Sequence, residues 1–351
     1  MDFGTKNILI TGANGWLGKN LIFSLINGIK SCDDLGYPSK TLKIKCMIMP
    51  NENYKNSILI NDNIEIVIGD LRKIEDCQYF TSSSKNAILF HCGGVIHPPS
   101  TKYFYDINVQ GTKNLLNAAV ENRVKKVIAI SSNSAFDINL KNNELFDERS
   151  DYIPYLKYGK SKMFMEKIIK DYTQKGMIES IIIRPPWFYG PNQPQRQNKF
   201  YKMVKRGKVP IVGDGENKRS VACTINICQA LIRSAINVNI VNGTYWIADE
   251  RLYTFNEILS TVQKVYEQEY NIKCQPNNIR LPNIVSDFAY FIDATLQSLG
   301  LYNKEIHVLS EMNKNIACSI SKAKADLGYS PTIDLYEGTY LSLKSIVNEF
   351  R

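Results

Sequence analysis

Tyr158-Gly159-Lys160-Ser161-Lys162 places a phenol and an ammonium at positions i and i+4. Side chains so spaced share a helix face, so Lys162 can stand beside the Tyr158 hydroxyl. A free tyrosine titrates near pH ~10, and work as a base near neutrality asks for a downward shift of roughly three units, about 4 kcal/mol. A unit charge about 4 Å away in an effective dielectric of about 20 supplies roughly that much. The pair is therefore a candidate general acid/base for an alcohol or ketone. Many solvated helix faces carry the same pair, so its meaning depends on the elements that hold it.

A second candidate lies at the N-terminus. The apolar run Asn7-Ile8-Leu9-Ile10 is followed by Thr11-Gly12-Ala13-Asn14-Gly15-Trp16-Leu17-Gly18. The segment from Lys19 to Ile29 then reads as a helix with Leu21, Ile22, Leu25 and Ile26 on one face. Strand, glycine turn and helix are the context of a dinucleotide site. Gly12 permits the tight turn, Gly15 lets the backbone approach a pyrophosphate, and Gly18 lets helix and strand pack closely. The helix N-terminus offers free N–H groups to the phosphates.

Apolar runs alternate with helical patterns through the first half: Lys43 to Met49, Ile64 to Ile68, Ala87 to His91, Lys126 to Ile130 and Ser180 to Ile183. Helices are expected from Asn108 to Glu121 and from Tyr158 to Gln174. This alternation predicts an α/β fold of Rossmann type, a doubly wound parallel sheet with ligands at the carboxyl ends of its strands. The motifs fall there: Gly69-Asp70-Leu71, Cys92-Gly93-Gly94 and Ser131-Ser132 each follow a predicted strand. After Arg184, Pro185-Pro186, Gly190-Pro191 and Pro194 interrupt regular structure. The expected division is a dinucleotide-binding domain over 1–184, with a return segment near 220–247, and a smaller α+β substrate lobe over 185–351. In that lobe helices are expected at Phe255 to Gln268, Ile284 to Leu299 and Glu337 to Phe350. There is no internal repeat and no low-complexity tract.

Composition excludes several classes. The 351 residues are 44% hydrophobic and 22% charged, as in a soluble globular protein. No apolar run approaches the ~20 residues of a membrane span, and no signal-peptide pattern is present. The net charge of +9 is spread along the chain, and the short cluster at Arg123, Lys125 and Lys126 reads as a solvated helix end, so nucleic acid is not an expected partner. The eight cysteines lack Cys-x-x-Cys spacing and read as reduced thiols of a cytoplasmic protein. His91, His97 and His307 lie at no ligand spacing, so no metal site is expected.

Together, Thr11-Gly12-x-x-Gly15-x-x-Gly18, Gly69-Asp70-Leu71, Asn108-Val109-x-Gly111-Thr112, Ser131-Ser132 and Tyr158-x-x-x-Lys162 resemble the extended short-chain dehydrogenase/reductases. That family includes nucleotide-sugar epimerases, dehydratases and reductases. Arg184-Pro185 to Tyr189-Gly190-Pro191, and Ser321-Lys322-Ala323 to Leu327-Gly328-Tyr329, extend the resemblance to nearly the whole chain. The resemblance implies a cofactor, NAD or NADP, held by the segment Gly12, Asn14, Gly15, Trp16, Leu17, Gly18 and by Asp70, Leu71, Asn108, Tyr158 and Lys162. It implies that Tyr158 is the acid/base, that Lys162 lowers its pKa and holds the nicotinamide ribose, and that Ser132 binds the reacting oxygen, with Ser131 or Ser134 as alternatives. Asp70 would contact the adenine or be a turn residue, and Asn108 would support a water relay. A homodimer acting on a small-molecule substrate, a nucleotide-activated sugar, is further implied.

Several positions depart from that pattern. Asn133-Ser134 stands where dehydratases carry Asp-Glu, which disfavours dehydration. Trp187 stands where nucleotide-sugar enzymes often have Asn, and either packs in the core or lines the substrate pocket. Arg219 matches an arginine that grips a diphosphate in many relatives, whereas Glu311-Met312-Asn313-Lys314 replaces a common Arg-x-Gly-Asp. His97, beyond a sheet-end loop, is either a substrate contact or a surface residue. Asn226 and the apolar segment Ile284 to Leu299 resemble the 3β-hydroxysteroid dehydrogenase branch, which would act on a hydrophobic alcohol or ketone; that segment either serves a lipid-like substrate or is a packed helix. A non-catalytic dinucleotide sensor is the third reading, opposed by the intact Ser132, Tyr158 and Lys162. Met49 ends the second strand, followed by Pro50, Asn51 and Glu52, and nothing basic is placed to meet a 2′-phosphate, which favours NAD.

Overall fold

Alternation within the predicted strands decides which side chains face which helix layer. In the computed structural model, which describes residues 1–38, 41–54, 58–139, 144–277 and 279–347, six strands precede the proline-rich break. They are β1 (Asn7–Thr11), β2 (Lys43–Ile48), β3 (Ile64–Ile68), β4 (Ile88–His91), β5 (Lys126–Ile130) and β6 (Glu179–Arg184). Short strands β7 (Trp187–Tyr189), β8 (Ile211–Val212), β9 (Lys218–Arg219) and β10 (Val221–Cys223) follow, and β11 (Asn242–Trp246) returns to the main sheet beside β6. The seven-stranded sheet runs β3-β2-β1-β4-β5-β6-β11 with every pairing parallel. The order reverses between β1 and β4, which opens a crevice at their carboxyl ends.

Ile8 and Ile10 of β1, Phe90 of β4, Ile128 of β5 and Ile181 and Ile183 of β6 face one side. There they meet Leu21 and Leu25 of α1 (Trp16–Asn27) and, beyond it, Ile227 and Leu231 of a helix at Thr224–Ile236. Their neighbours Leu9, Leu89, Val127, Ala129 and Ile182 face the other side. That side is covered by α2 (Ile74–Thr81), α3 (Thr112–Glu121) and α4 (Leu156–Gln174), through Phe80, Leu115, Met165 and Ile169. A period of two thus gives a sheet buried on both faces. A separate apolar cluster forms the second lobe around Tyr201, Val209, Phe255, Val262, Tyr266 and Leu343.

Three expected helices differ in detail. The helix expected from Asn108 begins earlier, as a π-helical stretch over Phe104–Gly111 that runs into α3; such wide turns recur at functional sites. The last helix spans Leu335–Val347, and the end expected for it at Phe350 lies outside the described residues. With α5 (Gln195–Lys205), α6 (Thr224–Ile236) and α7 (Phe255–Tyr270) placed before it, the apolar segment forms α8 (Ile284–Ser298) and is followed by α9 (Lys304–Glu311). The segment is a packed helix, but it packs through a largely polar face: its buried residues are Ser286, Ala289, Asp293 and Gln297. Ile284, Phe288 and Phe291 are 64–70% exposed. Among the described residues no helix is long and apolar enough to cross a membrane.

Candidate active site

The glycine turn connects β1 to α1. Gly12 has φ +66°, and a Cβ there would lie 2.7 Å from Gly93 N and 2.8 Å from the Cys92 carbonyl carbon. Gly15 caps α1 without a side-chain partner, and a Cβ on Gly18 would collide with the Gly12 carbonyl oxygen. The first turn of α1 carries no acidic residue. The result is a cradle of bare backbone at a helix N-terminus, which suits the phosphates of a dinucleotide. Thr11 Oγ1 bonds His91 Nδ1 (2.8 Å) and accepts from Gly93 N (3.1 Å), while His91 Nε2 bonds Thr112 Oγ1 (2.9 Å). Burial pushes His91 down to about 3, so this clamp is neutral at pH 7. Trp16 Nε1 donates to Pro191 O (2.7 Å), which ties the turn to the second lobe. Asn14 donates to Asn53 O (3.2 Å), and the Glu52 carboxylate accepts from Met49 N (3.3 Å), so an acid closes the end of β2.

The ends of β3 and β4 lie beside this cradle, where a Cβ on Gly93 would meet Leu71 at 3.0 Å. The Asp70 carboxylate accepts from Arg72 N (2.9 Å) and from the Arg72 guanidinium (2.9 and 2.5 Å), an Asx turn reinforced by an ion pair. Leu71 is buried, with its carbonyl held by Asn114 Nδ2 (2.9 Å). Asn108, in the π-helical turn, accepts from Val95 N (2.8 Å) and donates to Val95 O (3.0 Å) and Ser161 Oγ (3.1 Å). It thereby joins the loop after β4 to α4, the helix that carries Tyr158 and Lys162.

Ser132, Tyr158 and Lys162 come together where β5 ends against α4. Ser132 Oγ accepts from Ser134 N (3.2 Å) and donates to Ser134 Oγ (3.3 Å), and it lies near enough to the Tyr158 phenol to favour its deprotonated form. Ser131 instead lies beside Glu166. The close approach depends on Gly159, since a Cβ there would run into the Ser134 carbonyl oxygen. Lys162 Nζ donates to Ile130 O (2.9 Å), and a Cβ on Gly94 would stand 3.5 Å from that nitrogen. The expected electrostatics are corrected. Burial pushes Tyr158 up to about 12, opposed by Ser132 and reinforced by Glu311. Burial also pulls Lys162 down to about 8, with Glu166 opposing. In the protein alone desolvation outweighs the help from Ser132, and Tyr158 holds its proton.

Opposite this pair, the second lobe supplies residues that the sequence reading assigned and others that it missed. Arg219 donates to the Glu311 carbonyl oxygen and has no hydrogen-bond partner at Nε. Trp187 is half-buried and meets the Phe200 ring edge-on at 5.5 Å. His97 is neither free nor fully exposed: Nδ1 bonds Tyr302 Oη (2.7 Å), and burial with Arg196 and Lys304 lowers it to about 3. The Phe104 ring sits 5.6 Å from Tyr158 and 5.4 Å from Tyr302, linking His97 to the Tyr158 phenol. The missed residue with most influence is Glu311, whose charge raises Tyr158, Tyr155, Tyr302 and Asp137. Asp137, in the left-handed region at φ +64°, is raised to about 6 by burial and Glu311. The sequence marks Glu311 only as the start of a stretch that departs from the common Arg-x-Gly-Asp and does not mark Asp137, because each matters only through residues far away in the chain.

Glu311→Gln should therefore lower the Tyr158 pKa. The limb of the pH–rate profile that reports this phenol is expected to move to lower pH, and an unmoved limb would remove Glu311 from the reacting electrostatics.

The 42% identical Sinorhizobium fredii protein y4nL aligns over 96% of this chain and 94% of its own length. An Escherichia coli O157:H7 relative, N-acetyl-alpha-D-glucosaminyl-diphospho-ditrans,octacis-undecaprenol 4-epimerase, is 26% identical over 79% of this chain and 76% of its own. The solved structure of Bacillus cereus UDP-glucuronic acid 4-epimerase in complex with NAD superposes with a TM-score of 0.74, at 20% identity, covering 98% of this chain and all of the other. The family model for the NAD dependent epimerase/dehydratase family matches residues 8–247, from β1 to just past the returning strand β11. With its glycine cradle at the switch point of the sheet, this chain belongs to the NAD dependent epimerase/dehydratase family.

Proposed function

We propose that the protein is an NAD(P)-dependent epimerase or oxidoreductase of a nucleotide-activated sugar, working by reversible hydride transfer at a carbinol carbon. The observation that carries this reading is the convergence of Ser132, Tyr158 and Lys162 beside the glycine cradle. A bound nicotinamide supplies the hydride acceptor and donor, and returning the hydride to the other face of the carbonyl would complete an epimerisation. The chain's own residues do the rest. Ser132 holds the reacting oxygen, and Tyr158 Oη takes its proton on oxidation and returns it on reduction. Lys162, anchored on Ile130 O, places a positive charge where it favours the deprotonated phenol. Arg219, with Nε lacking a partner and its family place at the diphosphate, would grip the nucleotide end of the substrate. Glu52, at the end of β2, favours the ribose hydroxyls of NAD over a 2′-phosphate.

Mass spectrometry of material carried through purification should find NAD. UDP-, GDP- or dTDP-sugars should raise the melting temperature, by mass action on the folded state. A melting temperature unmoved by any of them but raised by apolar ketones would replace this reading with the hydrophobic-alcohol one.

A further inference from the structure

The helix that carries Tyr158 begins without a cap of its own. Tyr155 precedes α4 and its side chain bonds no first-turn N–H, and that turn holds no acidic residue. Leu156, at φ +50°, lies in the left-handed region, which a leucine adopts only where its surroundings impose it. The first four N–H groups of a helix need acceptors from elsewhere. Here one acceptor comes from the second lobe: Lys157 N, one residue before Tyr158, donates to Gln297 Oε1 of α8 (3.0 Å).

Gln297 is itself oriented. Its Nε2 donates to Asp293 Oδ1 (2.9 Å), and since a carboxylate accepts, the amide oxygen is the end left for Lys157. Asp293 Oδ2 bonds His307 Nδ1 of α9 (2.6 Å), and His307 Nε2 lies 3.9 Å from Glu311 Oε1. Burial opposes a charged imidazole there, but Asp293 and Glu311 hold His307 above its usual range. The His307 ring lies 5.6 Å from that of Tyr155, whose Oη bonds Ser310 Oγ (2.6 Å). Ser286 Oγ of α8 donates to Ser310 O (2.7 Å), which closes the network.

Asp293, Gln297, Ser286 and Ser310 are at most 1% exposed, whereas Ile284, Phe288 and Phe291 on the other side of α8 are 64–70% exposed. A surface helix ordinarily turns its apolar stripe to the core. The inward face of α8 is therefore set by its polar contacts with α4 and α9, and turning it over would strand them. We propose that Gln297 is a positioning residue for Tyr158: it caps α4 from the second lobe and so sets the phenol against the reacting oxygen, with Asp293 and His307 holding the amide in its capping orientation. This role rests on the reading of Tyr158 as the acid/base.

The test follows the Tyr158 Cζ signal by nuclear magnetic resonance of the full chain carrying isotope-enriched tyrosine, without substrate, assigned by its loss in Tyr158→Phe. Gln297→Leu removes both amide bonds, and Gln297→Glu, the milder change, sets a second carboxylate against Asp293. Each is expected to move or split that signal. Gln297→Glu combined with Asp293→Asn exchanges amide and carboxylate, keeping an acceptor for Lys157 N and a partner for His307. The exchanged pair should return the signal to its wild-type place. On whichever UDP-, GDP- or dTDP-sugar the wild type turns over, Gln297→Leu should lower kcat by on the order of 10²-fold with KM little changed, and the exchanged pair should restore most of it. A Tyr158 signal unmoved by both single variants would overturn the proposal, even if their melting temperatures fall. So would a signal that the exchanged pair leaves displaced. Absence of turnover with every sugar counts against the sugar reading alone, because the tyrosine signal is read without substrate.

Discussion

Tyr158→Phe should lower turnover by a factor on the order of 10³ while leaving cofactor affinity nearly unchanged. The substitution removes one oxygen and keeps the ring, which packs at 5.6 Å against Phe104. The cradle at Gly12, Gly15 and Gly18 is untouched, so a nicotinamide should still bind. The reacting alcohol then has no group that exchanges its proton, because Ser132 can hold the oxygen but has no base of its own. Wild-type activity should rise with pH, since burial and Glu311 keep the free phenol protonated up to about 12. In the proposed mechanism the positive charges that favour its deprotonation are Lys162 and, when bound, oxidised nicotinamide. Single-turnover measurement of the hydride step with saturating cofactor is the check. A Tyr158→Phe variant that retains more than a tenth of the wild-type rate would dismiss Tyr158 as the acid/base.

Glu166→Ala should be the most destabilising single change in α4. Glu166 is fully buried on α4 and takes the Arg184 guanidinium at 2.6 and 3.0 Å, with Tyr152 Oη donating at 2.6 Å. Arg184 is 1% exposed and stacks over the Phe136 ring at 4.1 Å. Removing the carboxylate strands a buried cation, a loss of about 3–5 kcal/mol. A melting temperature lower by on the order of 5–10 °C is expected. Despite its burial, Glu166 is held below the usual carboxylate range by Arg184. Its stabilisation is therefore complete above the unfolded value near ~4.3 and is lost as pH falls through the lower folded value. The alanine variant should lack that part of the acid-side slope. Its Lys162 should also lose its proton at lower pH, because Glu166 supports the ammonium four residues away. A melting temperature within a degree or so of wild type would show that the pair adds nothing net, as buried pairs sometimes do.

Tyr158 and Glu311 mark the difference between what is read along the chain and what is read across it. The strand alternation of Ile8-Leu9-Ile10 and of Ile181-Ile182-Ile183, the glycines of the first turn and the Tyr158/Lys162 spacing are local patterns. Each depends on backbone geometry within a few residues. They identified the parallel sheet, the cradle and the helix face on which the phenol and the ammonium stand. The Gly159 approach to Ser134 is half legible: the glycine is visible, but the carbonyl it must clear comes from another element.

Glu311, Asp137 and the reversed face of α8 were not legible. Glu311 reads as one charge in a polar stretch, and it acts on Tyr158 only because the second lobe folds over the sheet. The sequence of α8 shows an apolar stripe and a polar stripe, and periodicity does not say which is buried. That choice was made by the partners of Ser286, Asp293 and Gln297, whose hydrogen bonds outweigh the exposure of Ile284, Phe288 and Phe291. Likewise the spacing of Tyr158 and Lys162 carries an attraction but no dielectric, and burial reversed the expected direction of the phenol's pKa. From its sequence alone this protein was determined as a Rossmann-type parallel-sheet fold with a glycine turn after β1 and with Tyr158 and Lys162 on one helix face. The tertiary structure decided the charge state of that pair, the carboxylate facing it and the outward face of α8, because desolvation and long-range contacts exist only once the chain is folded.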